Sequence, residues 1–324
     1  MRHDGHGWDP KGPASIHRAV AGIDTAGNVV AYQFESKGFS RFNIASNEAN
    51  PSDSLAGQLT GLPLASRDAF GVPQESYVFD HKRLAWETIP PLLDRASPLR
   101  TAHLRDPVGP QIHFASESFI DELAVATGSD SVAFRLRHLK EARDIAAIKA
   151  AAEKASWETR VSGPRGNAGA EIVSGRGIAY IRRNGTIAVV IAEVEVDRRS
   201  GRVHPKRFVV AHDCGLIINP DGLRHTIEGN IVQGTSRSLW EEVKFSPQNV
   251  TSVDWQTYPI LDISETPDAV DIVMINHPEL PPTGAGEAST RPVAAAIANA
   301  IFDATGVRLR RAPFTPDRVK AGLV

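Results

Sequence analysis

The chain has 324 residues, 41% hydrophobic and 23% charged, globular values that exclude disordered, collagenous and coiled-coil classes. A net charge of -2 argues against a dedicated binder of nucleic acid or anionic membranes, and no apolar run is long enough to span a bilayer. One cysteine leaves no internal disulfide, no Cys-based zinc site and no Cys-ligated iron–sulfur cluster.

The start, Met1 to Pro10, is polar and has no signal-peptide core, which leaves the cytoplasm as the default location. It reads as though it begins inside a longer protein. His17 to Asp24 and Val29 to Ser36 read as strands joined by a Gly-Asn turn at Thr25–Asn28. Residues 37–100 carry no strong period and read as irregular. Helices are expected at Ala115–Thr127, with Phe119, Ile120, Leu123 and Ala124 on one face, at Ser131–Leu139 and at Asp144–Trp157. The Gly163–Ala168 stretch breaks the pattern and suggests two lobes, 1–165 and 166–324. Beyond it come a hairpin (Ile178–Arg182, a turn at Arg183-Asn184-Gly185, then Thr186–Val196) and a strand at Val203–Ala211. A helix within Asp221–Leu239 and a strand at Val270–Ile275 follow. The last strong element is a helix from Pro292 to Ala304, with Ser289 or Thr290 as its cap and Gly306 as its stop. The class is α+β, with mixed or antiparallel sheets and packed helices.

Gly284-Ala285-Gly286-Glu287, just before the last helix, looks like half of a dinucleotide fingerprint. That use fails: Ser289 stands at the third glycine, Glu287 would repel a pyrophosphate, and no βαβ unit follows. Two glycines let a backbone approach a bulky ligand. A carboxylate ahead of a helix N-terminus is favoured by the macrodipole, which suits either a general base or a plain helix-start residue. His212 and Cys214, two apart on a strand, have the spacing of a Cys–His nucleophile or a metal pair, though a lone Cys after an apolar strand is also an ordinary buried residue. His225 with Glu228, and His3 with His6, have metal-ligand residue types but no further ligands in view. Arg105, in a Pro/Gly-broken loop, suits an anion.

The order of these motifs resembles the large subunits of molybdenum hydroxylases. The matching segments are Arg105…Gly109-Pro110-Gln111…Glu117…Asp121-Glu122-Leu123-Ala124, Asp213-Cys214-Gly215…Asn219-Pro220…Ile227-Glu228-Gly229…Gln233-Gly234, and Gly284-Ala285-Gly286-Glu287…Pro292–Gly306. Within the xanthine dehydrogenase/aldehyde oxidase family the pattern is similar to the isoquinoline 1-oxidoreductase type. The resemblance implies the molybdopterin-binding C-terminal portion of a large subunit, arranged as two lobes. It implies a molybdenum–molybdopterin cofactor, plain or as the cytosine dinucleotide, and hydroxylation of an aromatic N-heterocycle or an aldehyde with oxygen from water. Glu287 matches the family's base. Arg105 matches a position that contacts the cofactor through its backbone, Gly284 and Gly286 lie against the cofactor, and the Ile227-Glu228-Gly229 turn lies near the pterin. Thr226 stands where the family usually has Gln. No metal ligand from the chain is implied. The implied partners are a small subunit carrying [2Fe-2S] clusters and the complementary N-terminal half of the large subunit, which holds a Gly-Gln-Gly loop. The competing expectations are a non-catalytic or vestigial fragment and a Cys214 hydrolase.

Overall fold

Asp24 starts the architecture by folding its carboxylate over the first turn, where it accepts the N–H groups of Ala26 and Asn28 at 2.9 and 2.8 Å. The chain then reverses from β1 (Ser15–Ile23) into β2 (Val29–Phe39), an antiparallel pair. The structure, a computed structural model, describes residues 9–44, 51–62, 70–89, 99–164, 169–246 and 248–323. His3, His6 and the Arg165–Ala168 part of the expected boundary lie outside the described residues.

The expectation of irregular structure over 37–100 is corrected by β3 (His81–Ile89), which pairs parallel to β2, and by a short helix α1 (Leu55–Leu59). β3 is an edge strand, HKRLAWETI, and it buries no residue fully. Leu84 packs against the core, but no residue is fully buried, so no clean alternation can be read, and the strand's charges are what a free sheet edge needs.

The second sheet has the order β4-β5-β6-β7, from β4 (Ile172–Arg183), β5 (Thr186–Asp197), β6 (Val203–Asp213) and β7 (Ala269–Ile275). The first three strands form an antiparallel meander, and β7 adds parallel to β6. The β4–β5 turn sits at Asn184-Gly185 as expected, with φ of 49° and 88°, the left-handed pair that a two-residue hairpin requires. β4 begins earlier than its sequence suggests, because Gly175 and Gly177 look like strand breakers. They are contact points instead. A Cβ on Gly177 would lie 2.3 Å from the Ala300 nitrogen and 2.5 Å from the Ala296 carbonyl oxygen. The alanine-rich helix α6 (Val293–Thr305) therefore lies directly against the strand backbone.

Helices cover both faces of this sheet. On one side lie α2 (Gly109–Ala126), α3 (Ser131–Arg137) and α4 (Ala142–Lys154), whose Ile120, Phe134 and Ile148 join Ile178, Val189 and Val209 in one apolar cluster. On the other lie α5 (Pro220–Leu239) and α6, whose Ile227, Ile231 and Ile297 meet Val190, Ala192 and Phe208. β5, buried on both faces, accordingly reads as an unbroken apolar run from Ile187 to Ala192. The first cluster also takes in Phe34 of β2, so it joins residues on both sides of position 165. Helix α2 starts earlier than expected, with Pro110 in its first turn, and a closing helix α7 (Pro316–Leu323) follows α6. Among the described residues no helix is long and apolar enough to cross a membrane.

β4 is an edge strand, yet its free edge is buried, and side chains satisfy it. Glu117 accepts the Tyr180 N–H at 2.8 Å, Asp303 accepts the Arg176 N–H at 3.1 Å, and the Ile178 carbonyl accepts from Arg135 at 3.1 Å and Asn299 at 3.0 Å. Arg135 and Glu117 are themselves fully buried and paired at 2.9 Å.

This packing is testable in two places. Gly177→Ala forces α6 off β4 and costs about 1–3 kcal/mol, read as a lower denaturant midpoint; an unchanged midpoint would contradict the contact. Glu75 is fully buried, and burial, with Glu117 nearby, pushes its carboxyl from 4.5 up to about 8. Such a group keeps a proton that the unfolded chain has released. Its contribution to stability is thus complete below about 4.5 and lost as pH rises to about 8. Glu75→Gln should remove that fall, so unfolding free energies of variant and wild type diverge, in the variant's favour, between about pH 5 and 8.

Candidate functional site

The loop from Pro281 to Thr290 runs across the end of the second sheet and is clamped carbonyl by carbonyl. Thr186, the first residue of β5, donates its hydroxyl to the Gly284 carbonyl at 2.7 Å. Asn230 of α5 donates to the Ala285 carbonyl at 3.3 Å and accepts the Thr290 hydroxyl at 2.9 Å. Arg105, ahead of α2, places Nε 2.8 Å from the Gly286 carbonyl oxygen and a second nitrogen on the same atom. Three elements distant in sequence thus fix three consecutive peptides.

Glu287 follows at once and is mostly buried, 18% exposed. One carboxylate oxygen accepts the backbone N–H of Asp106 at 2.9 Å, and the other pairs with Arg183, the last residue of β4. The expected hold from the helix macrodipole is corrected: Glu287 precedes a separate 3-10 turn, Ala288–Thr290, and makes no side-chain cap. Nor does Ser289 or Thr290 cap α6. Pro292 takes that position, Ser289 meets the His212 ring at 3.0 Å, and Thr290 is used by Asn230.

The loop 105–109 is set by a buried ion pair. Asp106 sits at φ 49° and accepts from Arg291 at 2.7 Å. A Cβ on Gly109 would come within 2.4 Å of the Asp106 carboxylate and 2.5 Å of Arg291 Nε, so only glycine admits the pair. The pair fixes the backbone that aims the Asp106 N–H at Glu287 and the Arg105 side chain at Gly286. The Arg105 carbonyl is occupied by Arg237 at 2.8 Å. Arg105 is therefore brought to the loop as its clamp, and the carbonyl of its backbone is already engaged.

Residues 226–229 are corrected from a turn to the middle of α5. The Thr226 hydroxyl donates to its own helix at the Gly222 carbonyl, 2.8 Å away, and Ile227 is fully buried in the core. Glu228 is half-buried, and Gly229 is exposed. The residue of this stretch that reaches the loop is the next one, Asn230. Sequence reading missed Asn230, Arg183, Asp106, Thr186 and Arg291. Each acts across a separation of 55 residues or more, and no local spacing marks such a contact.

Gly229, Gly284 and Gly286 share one property: a Cβ built on any of them meets no atom within 4 Å. Their backbone faces are open, which fits the close approach of a bulky flat group. The other candidates do not converge here. Cys214 is buried, and burial raises its thiol, as for an inert core cysteine. His212 is buried, pushed down to about 4 by burial, and bonded to Ser289. Among the described residues no group of three or more His, Cys, Asp or Glu is placed to hold a metal ion. A cavity of about 1370 Å³ is lined by Arg105, Asp106, Gln111, Arg237 and, from the end of the loop, Thr290; residues 284–287 do not line it.

Comparison with known proteins bears on this arrangement. Residues 119–267 match the family described as molybdopterin cofactor-binding domain, a span that includes 226–229 and stops short of Glu287. The chain is 39% identical, over 99% of its length, to a nicotinate dehydrogenase subunit of Pseudomonas putida, covering 27% of that protein. It is 29% identical, over 64% of its length, to the beta-subunit of isoquinoline 1-oxidoreductase of Brevundimonas diminuta, covering 26% of it. It thus spans about a quarter of the length of these curated relatives. In fold it resembles quinoline 2-oxidoreductase from Pseudomonas putida 86, with a TM-score of 0.72 at 12% identity, over 100% of this chain and 64% of that one. The cofactor-binding match, the identity along the whole chain and the shared fold agree with the motif order, and this chain belongs to the xanthine dehydrogenase/aldehyde oxidase family as a molybdopterin-binding portion of its large subunit.

Proposed function

We propose that this chain forms the base-bearing side of the active site of a molybdopterin-dependent hydroxylase, with Glu287 as the general base. The observation that carries it is the Glu287 carboxylate, held by the Asp106 N–H and Arg183 next to a loop whose glycines lie open. The cofactor, when bound, supplies a Lewis acid that makes a nucleophile from water and accepts the substrate's electrons. The chain's own residues provide the rest. Gly229, Gly284 and Gly286 offer backbone surface to the cofactor, while Arg105, Asn230 and Thr186 fix the loop that presents it. Glu287 accepts the proton released as the nucleophile forms, and the Asp106 N–H keeps the accepting carboxylate in one orientation.

The substrate is a small aromatic N-heterocycle or an aldehyde. The two relatives described above are named for the heterocycles nicotinate and isoquinoline, which supports the heterocycle, while others are named for aldehydes. The cofactor's cytosine dinucleotide form, a complementary large-subunit half, a small [2Fe-2S] subunit to carry electrons away, and the two lobes 1–165 and 166–324 belong to the same proposal. The lone Cys214 is consistent with clusters borne by a partner.

Glu287→Gln in the complete enzyme should lower kcat by about 10²-fold or more, with molybdenum content unchanged; near-normal turnover would remove the base assignment. Gly286→Leu places a side chain where the chain itself leaves space. It should leave the unfolding midpoint in place and lower molybdenum per chain, measured by elemental analysis. Full loading would show that nothing approaches that face.

A further inference from the structure

We infer that Arg183 is the residue that recognises an anionic substrate, and that it does so by exchanging Glu287 for the substrate's carboxylate. The inference rests on the proposed function above and adds the substrate class and the residue that selects it.

The arginines around the site differ in what holds them. Arg143, Arg182 and Arg291 are each tied to a carboxylate that is itself sealed from solvent: Asp213, Asp144 and Asp106, with exposures of 0%, 0% and 1%. Drawing any of these arginines away would leave a buried, uncompensated charge, which is strongly disfavoured. Arg105 is committed to the Gly286 carbonyl and Gln233. Arg183 is different. It is 30% exposed, and its partner Glu287 is 18% exposed. Among the described residues Glu287 is the one carboxylate within 4 Å of it, with Asp106 acting on it from farther away, which leaves part of its five-donor fork available.

Its position suits the task. Arg183 ends β4 at the Asn184-Gly185 turn, and Gly185 packs beside Thr283, so the hairpin tip lies against the loop that carries Gly284, Gly286 and Glu287. A planar guanidinium matches a carboxylate through two parallel hydrogen bonds and also stacks on an aromatic ring. The local charges agree: among the described residues the three guanidiniums of Arg105, Arg183 and Arg291 are set against two carboxylates, Glu287 and Asp106. When a substrate carboxylate takes the Arg183 fork, Glu287 keeps the Asp106 N–H and is released from its cation to accept a proton. Binding of the correct anion thereby frees the base. No bond to carbon forms or breaks in this exchange.

The test uses the complete, cofactor-loaded enzyme with nicotinate and its neutral amide as probes. Arg183→Gln removes a support of Glu287 and so affects both compounds, but it should raise KM for nicotinate at least about tenfold more than KM for the amide. Arg183→Lys should restore part of the preference. Equal changes for both compounds would reduce Arg183 to a support for Glu287 and overturn the inference, as would no change for either. Binding is measured separately, by calorimetric titration of nicotinate without an electron acceptor. Wild type should bind at least about tenfold more tightly than Arg183→Gln, and equal or absent binding overturns the inference whatever the turnover. Failure of the general-base proposal shows elsewhere, as retained turnover in Glu287→Gln, so the two outcomes are distinguishable.

Discussion

The structure depends on how the free edge of β4 is closed. An edge strand buried inside a protein presents N–H and C=O groups that neither water nor another strand can satisfy. Here side chains from three helices supply the missing partners: Glu117 from α2, Arg135 from α3, and Asn299 and Asp303 from α6. Burial raises the Glu117 carboxyl and so works against its charge, while Arg135 and the hydrogen bonds it receives favour that charge. Arg308, just past α6, extends the system by bonding both Asp121 and Asn299. A buried network of this kind holds only when every member has a partner, which makes the arrangement of these helices unique rather than merely compact.

That closure is also what builds the site. β4 ends in Arg183, α6 follows directly on the loop carrying Glu287, and α2 follows directly on the loop carrying Arg105 and Asp106. Locking α2 and α6 to one strand edge brings the three chain segments together at a common end. The local clamps then set distances within that frame, with three successive carbonyls held by Thr186, Asn230 and Arg105. The Asp106–Arg291 pair orients the N–H on which Glu287 rests. Positioning charges on rigid elements in this way is what the proposed base would require, because a displaced base loses its reach to the proton.

Much of the fold was legible in the sequence where periodicity reports burial. The hairpin at Asn184-Gly185, the two-faced apolar run of β5 and the helices α2, α4 and α6 all carry their pattern locally. β3 was not legible, since an edge strand that buries no residue fully shows no clean apolar alternation. The early part of β4 was hidden by glycines whose function is to admit α6, and that function is visible only from the helix. At the candidate site, spacing marked Glu287 and its two glycines but left their role open, the motif order suggested one, and Arg105 was marked by its loop. The turn expected at Ile227-Glu228-Gly229 was wrong because a helix tolerates an exposed glycine when its opposite face is packed.

By itself the sequence determined the class of structure, the motif order that places the chain in its family, and the acid that stands in the glycine loop. These follow from local chemistry: side-chain periodicity, turn geometry and the order of a few residue types. Only the tertiary structure decided what holds that acid. Arg183 and Asp106 lie far from Glu287 along the chain, and no rule of spacing joins them. Their meeting follows from the closure of the β4 edge, a requirement of buried backbone polarity that exists only once the sheet and its helices have packed together.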